Sequence, residues 1–273
     1  MSESVPNDNV FAAHFEDWTA PSLTSRLAVR LRAHGLVTLS GLEDRPDVLA
    51  VARRVMTISA HRDSDSDGIT AVRDLGPSRW TAGSLGLGTG ALLPHTDSAQ
   101  QLPAPPRLLL LACAAPAPVG GASLLVDGQA VYSTLAAECP DAVEAFSAKR
   151  AALFGRGNGR FCPVFDHNDT GRASLALRQD ALARFSPAAE AFLPALREAI
   201  RRHLVSLDLR VGQAYLLDNH RWLHAREDYQ GPRLMLRALG EAVLGLGLQH
   251  GFATGQLLLS SRPLVCSGPL SHA

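Results

Sequence analysis

The chain has 273 residues, 46% hydrophobic and 19% charged, and its 26 basic and 26 acidic side chains cancel to a formal net charge of zero. Such proportions belong to an ordinary globular protein with enough apolar material for a core that needs neither disulfides nor a structural metal. With no basic stripe or polybasic run, nucleic acid and anionic membrane are poor partners, which leaves a small-molecule ligand.

Residues 1–20 are polar and aperiodic and read as an N-terminal arm. The stretch lacks a basic n-region and an apolar h-region, so no signal peptide is expected. Leu23, Leu27 and Leu31 set among Arg26, Arg30 and Arg32 predict a helix over 22–34 that ends near Gly35, followed by a strand over 36–39. A second helix is expected over 44–59, with Pro46 in its first turn, and then a polar loop, HRDSDSD. The glycine-rich GSLGLGTG of 83–90 lacks the strand–GxGxxG–helix context of a dinucleotide site and reads as a flexible segment near a site entrance. The apolar run 107–113, bounded by prolines, predicts a buried strand. A strand over 123–126 follows the Gly120–Gly121 turn. Residues 129–146 read as helix broken near Pro140, and 155–171 as hairpins and loops around Phe161. A single long helix is expected over 187–206, and strands over 207–211, 214–217 and 233–239. The tail from 245 to 273 lacks periodicity and is expected to be flexible or to cover a sheet edge, leaving 21–244 as one domain. This order favours a β-sandwich or barrel with helices outside over an alternating parallel sheet.

Cys113, Cys139, Cys162 and Cys266 are scattered without a CxxC pair. That argues against a zinc–thiolate site or a disulfide framework, and for reduced thiols in a cytoplasmic protein. The longest apolar stretches are too short to span a bilayer.

The chemistry concentrates in two places. In Pro94-His95-Thr96-Asp97, extended backbone would put the imidazole and the carboxylate on one face. One more imidazole would complete a two-histidine, one-carboxylate facial triad, although a hydrogen-bonded His–Asp pair leaves the same trace. Far down the chain, LLDNHRWLHAREDYQGPRLMLRALG offers two candidates, His220 and His224.

Taken in order, His95-Thr96-Asp97, Gly120-Gly121 with Ser123, Asp127-Gly128, Asp218-Asn219, His224 with Arg226, and Arg233 with Arg237 resemble the taurine dioxygenase and clavaminate synthase-like family of Fe(II)/2-oxoglutarate oxygenases. The resemblance covers roughly residues 80–240. It implies a mainly β fold with flanking helices around a double-stranded β-helix (jelly-roll, cupin-like) core. His95, Asp97 and His224 become the iron ligands, a donor set that suits Fe(II). By the same resemblance Arg233 grips the distal carboxylate of 2-oxoglutarate through its planar fork. Ser123 stands where relatives often carry threonine and contacts the same carboxylate. Arg237 lies nearer the iron-side carboxylate or the substrate. Retention of Asp97 disfavours halogenation, since halogenating relatives carry a small residue there.

The implied reaction consumes 2-oxoglutarate and O₂ and releases succinate and CO₂. It would hydroxylate, desaturate, epoxidise or cyclise a small amino-acid-like or natural-product intermediate. The Ala-, Arg-, Gly- and Leu-rich composition fits a high-GC bacterial source and a tailoring role in secondary metabolism. Trp80, Phe161, Arg178 and Trp222 are candidates for the substrate pocket, each also readable as a packed aromatic or a solvated arginine. Asp127 reads as an N-cap, Asp218 and Asn219 as turn residues, and Arg226 as either a brace of the site or an exposed charge. Two readings from other classes stand beside the oxygenase: a non-catalytic metal-binding jelly-roll module, and a zinc hydrolase using the same three ligands. Oligomeric state is not written in the sequence.

Overall fold

The computed structural model describes residues 7–20, 22–79, 85–101, 105–155 and 159–255. In chain order the main elements are α1 (Asn7–Ala13), α2 (Leu23–His34), β1 (Leu36–Leu39), α3 (Arg45–Val55), β2 (Met56–Ile58), β3 (Thr70–Val72), β4 (Leu92–His95), β5 (Leu108–Ala115) and β6 (Ser123–Asp127). Then come α4 (Gly128–Glu138), α5 (Pro140–Ser147), α6 (Pro187–Glu190), α7 (Leu193–Arg202), β7 (Leu204–Leu207), β8 (Ala214–Asp218), β9 (Trp222–Arg226) and β10 (Leu234–Ala242). The protein is mainly β with helices outside.

Two antiparallel sheets carry the fold. The larger runs β1-β8-β5-β10-β2, with β3 also paired to β10; the smaller runs β7-β6-β9-β4. Strand alternation explains how both faces of the larger sheet are buried. Leu108, Leu110 and Ala112 of β5, Ala214 and Leu216 of β8, and Leu236 and Ala238 of β10 pack under α2 and α3. Their neighbours Leu109, Leu111, Cys113, Tyr215, Leu217, Met235 and Leu239 face inward and meet Leu125, Leu207 and Trp222 from the smaller sheet. The period of two thus serves two cores at once, which is why β5 reads as a continuous apolar run and not as an alternating one. On the far side of the smaller sheet, Val126 and Leu223 join α4, α5, α7 and the hairpins of 152–185 in a third cluster.

Local chemistry sets the helix ends. Asp44 and Asp47 form a reciprocal capping box at the start of α3, with proline in the first turn. Asp127 caps α4 by accepting from the Gln129 N–H at 3.0 Å. Gly35 ends α2 at φ 66°, and a side chain there would strike Arg221 and Trp222.

Three expected elements differ. The helix expected over 44–59 stops at Val55, because Met56–Ile58 pairs with β10 and sheet bonding takes over the backbone. The helix expected over 187–206 is two pieces separated around Phe192, and Leu204–Leu207 is a strand on β6. The strand expected over 207–211 is therefore displaced toward the N-terminus. Residues 1–20 contain α1, and Phe15 bridges Thr38 of β1. Beyond residue 244, Phe252–Ala253 adds a strand to the hairpin of 165–175. Arg107 and Arg172 hold that stretch by donating to the Gln249, His250 and Gly251 carbonyls. Among the described residues, no helix is long and apolar enough to cross a membrane.

Leu110, fully buried between β5 and the α2–α3 layer, gives a direct measure of that packing. Leu110→Ala is expected to cost about 2–5 kcal/mol, read from the urea midpoint at unchanged m-value.

Candidate functional site

The smaller sheet places two imidazoles side by side. β4 and β9 are antiparallel partners, and His95 lies directly across from His224. Cross-strand neighbours bring their Cβ atoms within touching range, and here the rings sit with centroids 4.3 Å apart. Between His224 and Arg226 the register shifts, so that three steps on β4 match two on β9. Pro94 lies in this irregular stretch, where a residue without an N–H costs no ladder bond.

Asp97 comes from just beyond the strand end, where Ser98 turns the chain at φ 55°. Its loop is tied at several points. The Asp97 N–H donates to Asn219 Oδ1 at 2.8 Å, and Asn219 Nδ2 donates back to the Asp97 carbonyl at 3.0 Å and to the Pro106 carbonyl at 2.9 Å. Thr96 and Leu177 exchange backbone and hydroxyl bonds, and Gln179 Nε2 donates to the Pro94 carbonyl. Asn219 is in turn set by the turn after β8, where Arg107 grips Asp218 with two bonds of 2.8 Å.

His95 Nε2 lies 4.0 Å from Asp97 Oδ1, and His224 Nε2 lies 3.9 Å from Asp97 Oδ2. One ligand atom from each of the three residues falls within 4.8 Å of the other two, a spacing that one ion could bridge. His95 Nδ1 sits 2.8 Å from the Leu93 carbonyl; donation along that bond leaves Nε2 as the lone-pair donor. His224 Nδ1 has no such partner among the described residues, so β-pairing and burial orient that ring.

The electrostatics favour a ligating state for Asp97 and His224. Burial pushes the Asp97 carboxyl up, but Arg237 and the neighbouring imidazoles outweigh it and hold it at about 2. The Arg237 Nη1–Asp97 Oδ2 bond is 3.0 Å. Burial, reinforced by His95, pushes His224 down to about 3, so the ring is neutral near pH 7.

A cavity of about 750 Å³ opens over this cluster, and Ser123, Tyr215, Arg226, Arg233 and Arg237 share its wall with the triad. β10 keeps its alternation here, since the irregularity near its start falls on the partner strand β5. Arg233 and Arg237 therefore reach the same side. The three arginines are satisfied differently. Arg237 pairs with Asp97. Arg226 donates to the carbonyls of Gly86, Gly88 and Gly90. Arg233, 7% exposed, donates to the Gly121 carbonyl at 3.2 Å and has no ion-pair partner among the described residues. Ser123 is buried and lines the cavity together with Tyr215.

Of the remaining sequence candidates, Arg178 lines the cavity, gripped by Asp180 at 2.6 and 2.8 Å and bonded to Gln100. Phe161 stands apart from the cavity, half exposed beneath the guanidinium of Arg150. Trp222 also stands apart. It faces inward two residues before His224 and packs at the apolar end of the core, its Nε1 donating to the His34 carbonyl at 2.8 Å. Trp80 lies outside the described residues. Of the rival histidines, His220 is engaged with the Pro105 carbonyl at 2.8 Å. The glycine segment of 83–90, described from residue 85, contributes Gly86 and Leu87 to the cavity wall and is fastened by Arg226. Sequence reasoning did not single out His61, Gln100 or Asp180 on the wall; ordinary polar residues in loops gave it no signal. His61 Nδ1 accepts the Asp63 N–H at 3.2 Å, which puts its proton on Nε2.

Residues 5–239 match the model of the taurine catabolism dioxygenase TauD, TfdA family. A uridine-5'-phosphate dioxygenase from Streptomyces sp is 28% identical over 197 residues, covering 66% of this chain and 71% of the relative. Among solved structures, an asparagine oxygenase in complex with Fe(II), hydroxyasparagine and succinate superposes with a TM-score of 0.67 at 16% identity, covering 81% of this chain and 80% of that one. The non-haem iron oxygenase OrfP in complex with Fe and alpha-ketoglutaric acid gives a TM-score of 0.59 at 15% identity, covering 87% and 89%.

Asn219 fixes the backbone of the loop that carries Asp97 without touching the three clustered side chains. Asn219→Ala is expected to weaken divalent-metal binding roughly 10- to 100-fold, with titration of Fe(II) under argon as the measurement.

Proposed function

The chain belongs to the taurine catabolism dioxygenase family and is a non-haem iron, 2-oxoglutarate-dependent dioxygenase; from that premise we propose that His95, Asp97 and His224 hold the iron while Arg233 and Ser123 hold the far carboxylate of 2-oxoglutarate. The two sheets are then the walls of a double-stranded β-helix, within a single oxygenase domain over 21–244.

One observation carries the assignment of the clamp. A buried guanidinium without a counter-charge is costly, because taking an ion out of water must be offset by a partner. Arg237 has Asp97 and Arg226 has three carbonyls, whereas Arg233 has one carbonyl and an otherwise uncommitted fork on the cavity wall. A carboxylate ligand supplies what is missing through two parallel hydrogen bonds. Neither a zinc hydrolase nor a plain metal-binding module has a use for that arrangement.

When bound, iron and 2-oxoglutarate supply the oxidising chemistry, with succinate and CO₂ as co-products. The chain's own residues do the positioning. Arg237 keeps Asp97 ionised, burial keeps His224 neutral, and the Leu93 carbonyl fixes the His95 tautomer. The walls limit water around the reacting groups, and Arg178 with Asp180 and Gln100 presents polar contacts for the substrate. The substrate is read as a small amino-acid-like or natural-product intermediate. Named relatives act on uridine-5'-phosphate and on asparagine.

The test is succinate release from 2-oxoglutarate by anaerobically iron-loaded protein on admission of O₂ with a panel of small polar substrates. Arg233→Gln is expected to raise KM for 2-oxoglutarate about 100-fold while Fe(II) binding stays at the level of the unsubstituted protein. Absence of both 2-oxoglutarate binding and turnover would overturn the assignment.

A further inference from the structure

Tyr229 lies five residues beyond His224 on the short strand Tyr229–Gln230, which pairs with Val119–Gly120. It is buried, yet its hydroxyl has no hydrogen-bond partner among the described residues. The polar contacts of this side chain are therefore made through its ring face. Two guanidinium groups lie over the ring, Arg226 at 4.8 Å and Arg233 at 5.5 Å from its centroid. Neither arginine has an acidic ion-pair partner among the described residues. They also repel each other, being two like charges set over one ring in a buried region.

The negative face of an aromatic ring attracts a cation, and does so more strongly where water is excluded. The neighbouring backbone is shaped for the contact. Gly121 adopts φ 81°, and a Cβ there would come within 3.1 Å of Tyr229 Cβ and 3.2 Å of Arg233 Nε. Gly121 therefore lets Tyr229 and the Arg233 side chain sit against the turn. The Tyr229 N–H also donates to the Thr89 carbonyl at 3.0 Å, in the segment that Arg226 fastens.

We propose that Tyr229 is a positioning residue for the co-substrate, its ring holding Arg233 in place against the repulsion of Arg226. The inference rests on Arg233 as the carboxylate clamp, and its consequence is selective. Loss of the ring weakens keto acids with a distal carboxylate and leaves those without one untouched.

The experiment is anaerobic calorimetry of the full-length, Fe(II)-loaded protein with two probes: 2-oxoglutarate, and 2-oxobutyrate, which lacks the distal carboxylate. Tyr229→Phe is expected to bind 2-oxoglutarate within about twofold of the unsubstituted protein. Tyr229→Leu is expected to bind it about tenfold more weakly, equivalent to about 1.4 kcal/mol, with 2-oxobutyrate and Fe(II) affinities unchanged. Tyr229→Met, which keeps the bulk without a π face, takes its place should the leucine variant not fold. Unchanged 2-oxoglutarate affinity in Tyr229→Leu, equal weakening of both probes, or a Phe variant as weak as the Leu variant would overturn the proposal. Arg233→Gln, run in parallel, separates the two levels. If it also binds 2-oxoglutarate normally, the clamp assignment itself fails; if it alone loses affinity, only the role of Tyr229 does.

Discussion

The register of one strand pair governs the site. With His95 opposite His224, two imidazoles from distant parts of the chain meet without help from any loop. A slip of one residue in β4 would turn His95 to the other face of the sheet, the side occupied by Leu223 and the α4–α7 cluster, and away from His224. The apolar pattern on both sides of the smaller sheet thus fixes the chemistry as well as the fold. Asp97 needs a different device because it lies past the strand end. The side-chain amide of Asn219 supplies it, bonding both the N–H and the carbonyl of the same residue.

Around this centre, charge is distributed by a simple rule. Arg226, Arg233 and Arg237 on the cavity wall are each neutralised or solvated to a different degree, and that degree sets them apart. Arg237 belongs to Asp97, Arg226 to the glycine carbonyls, and Arg233 has one carbonyl and no acidic partner among the described residues. Two buried cations beside a third that is partly buried would be destabilising if none had such a partner. The division also explains why the glycines of 86–90 matter, since they expose backbone oxygens to a guanidinium that would otherwise have nothing to bind.

The sequence carried those parts of the protein that depend on short-range pattern. The apolar run at 107–113, the alternation at 214–217 and the leucine stripe of α2 all report their elements directly. The ligand candidates were legible through their order along the chain, and the structure brings them together. What could not be read was anything settled by tertiary pairing. Met56–Ile58 continues a helical pattern, and only β10 pulls it into a sheet. Trp222 looks like a pocket residue from its position beside His224, but its indole has a backbone acceptor at the end of α2. Phe161 is likewise claimed by Arg150. Tyr229 was invisible because a lone tyrosine near a turn has no signature until the guanidinium groups around it are seen.

The segment 177–180 joins two structures that would ordinarily be considered separately. Leu177 and Gln179 hold the segment bearing His95 and Asp97, while Arg178 and Asp180, interleaved with them, form part of the wall. Reshaping the cavity by altering this stretch therefore carries a mechanical penalty at the His95–Asp97 segment. Leu93 and Leu182 line the same cavity without such side-chain ties. Diversification of the pocket, whether by natural drift or in a directed library, has freer play at those two positions than at Gln179, whose amide anchors Pro94.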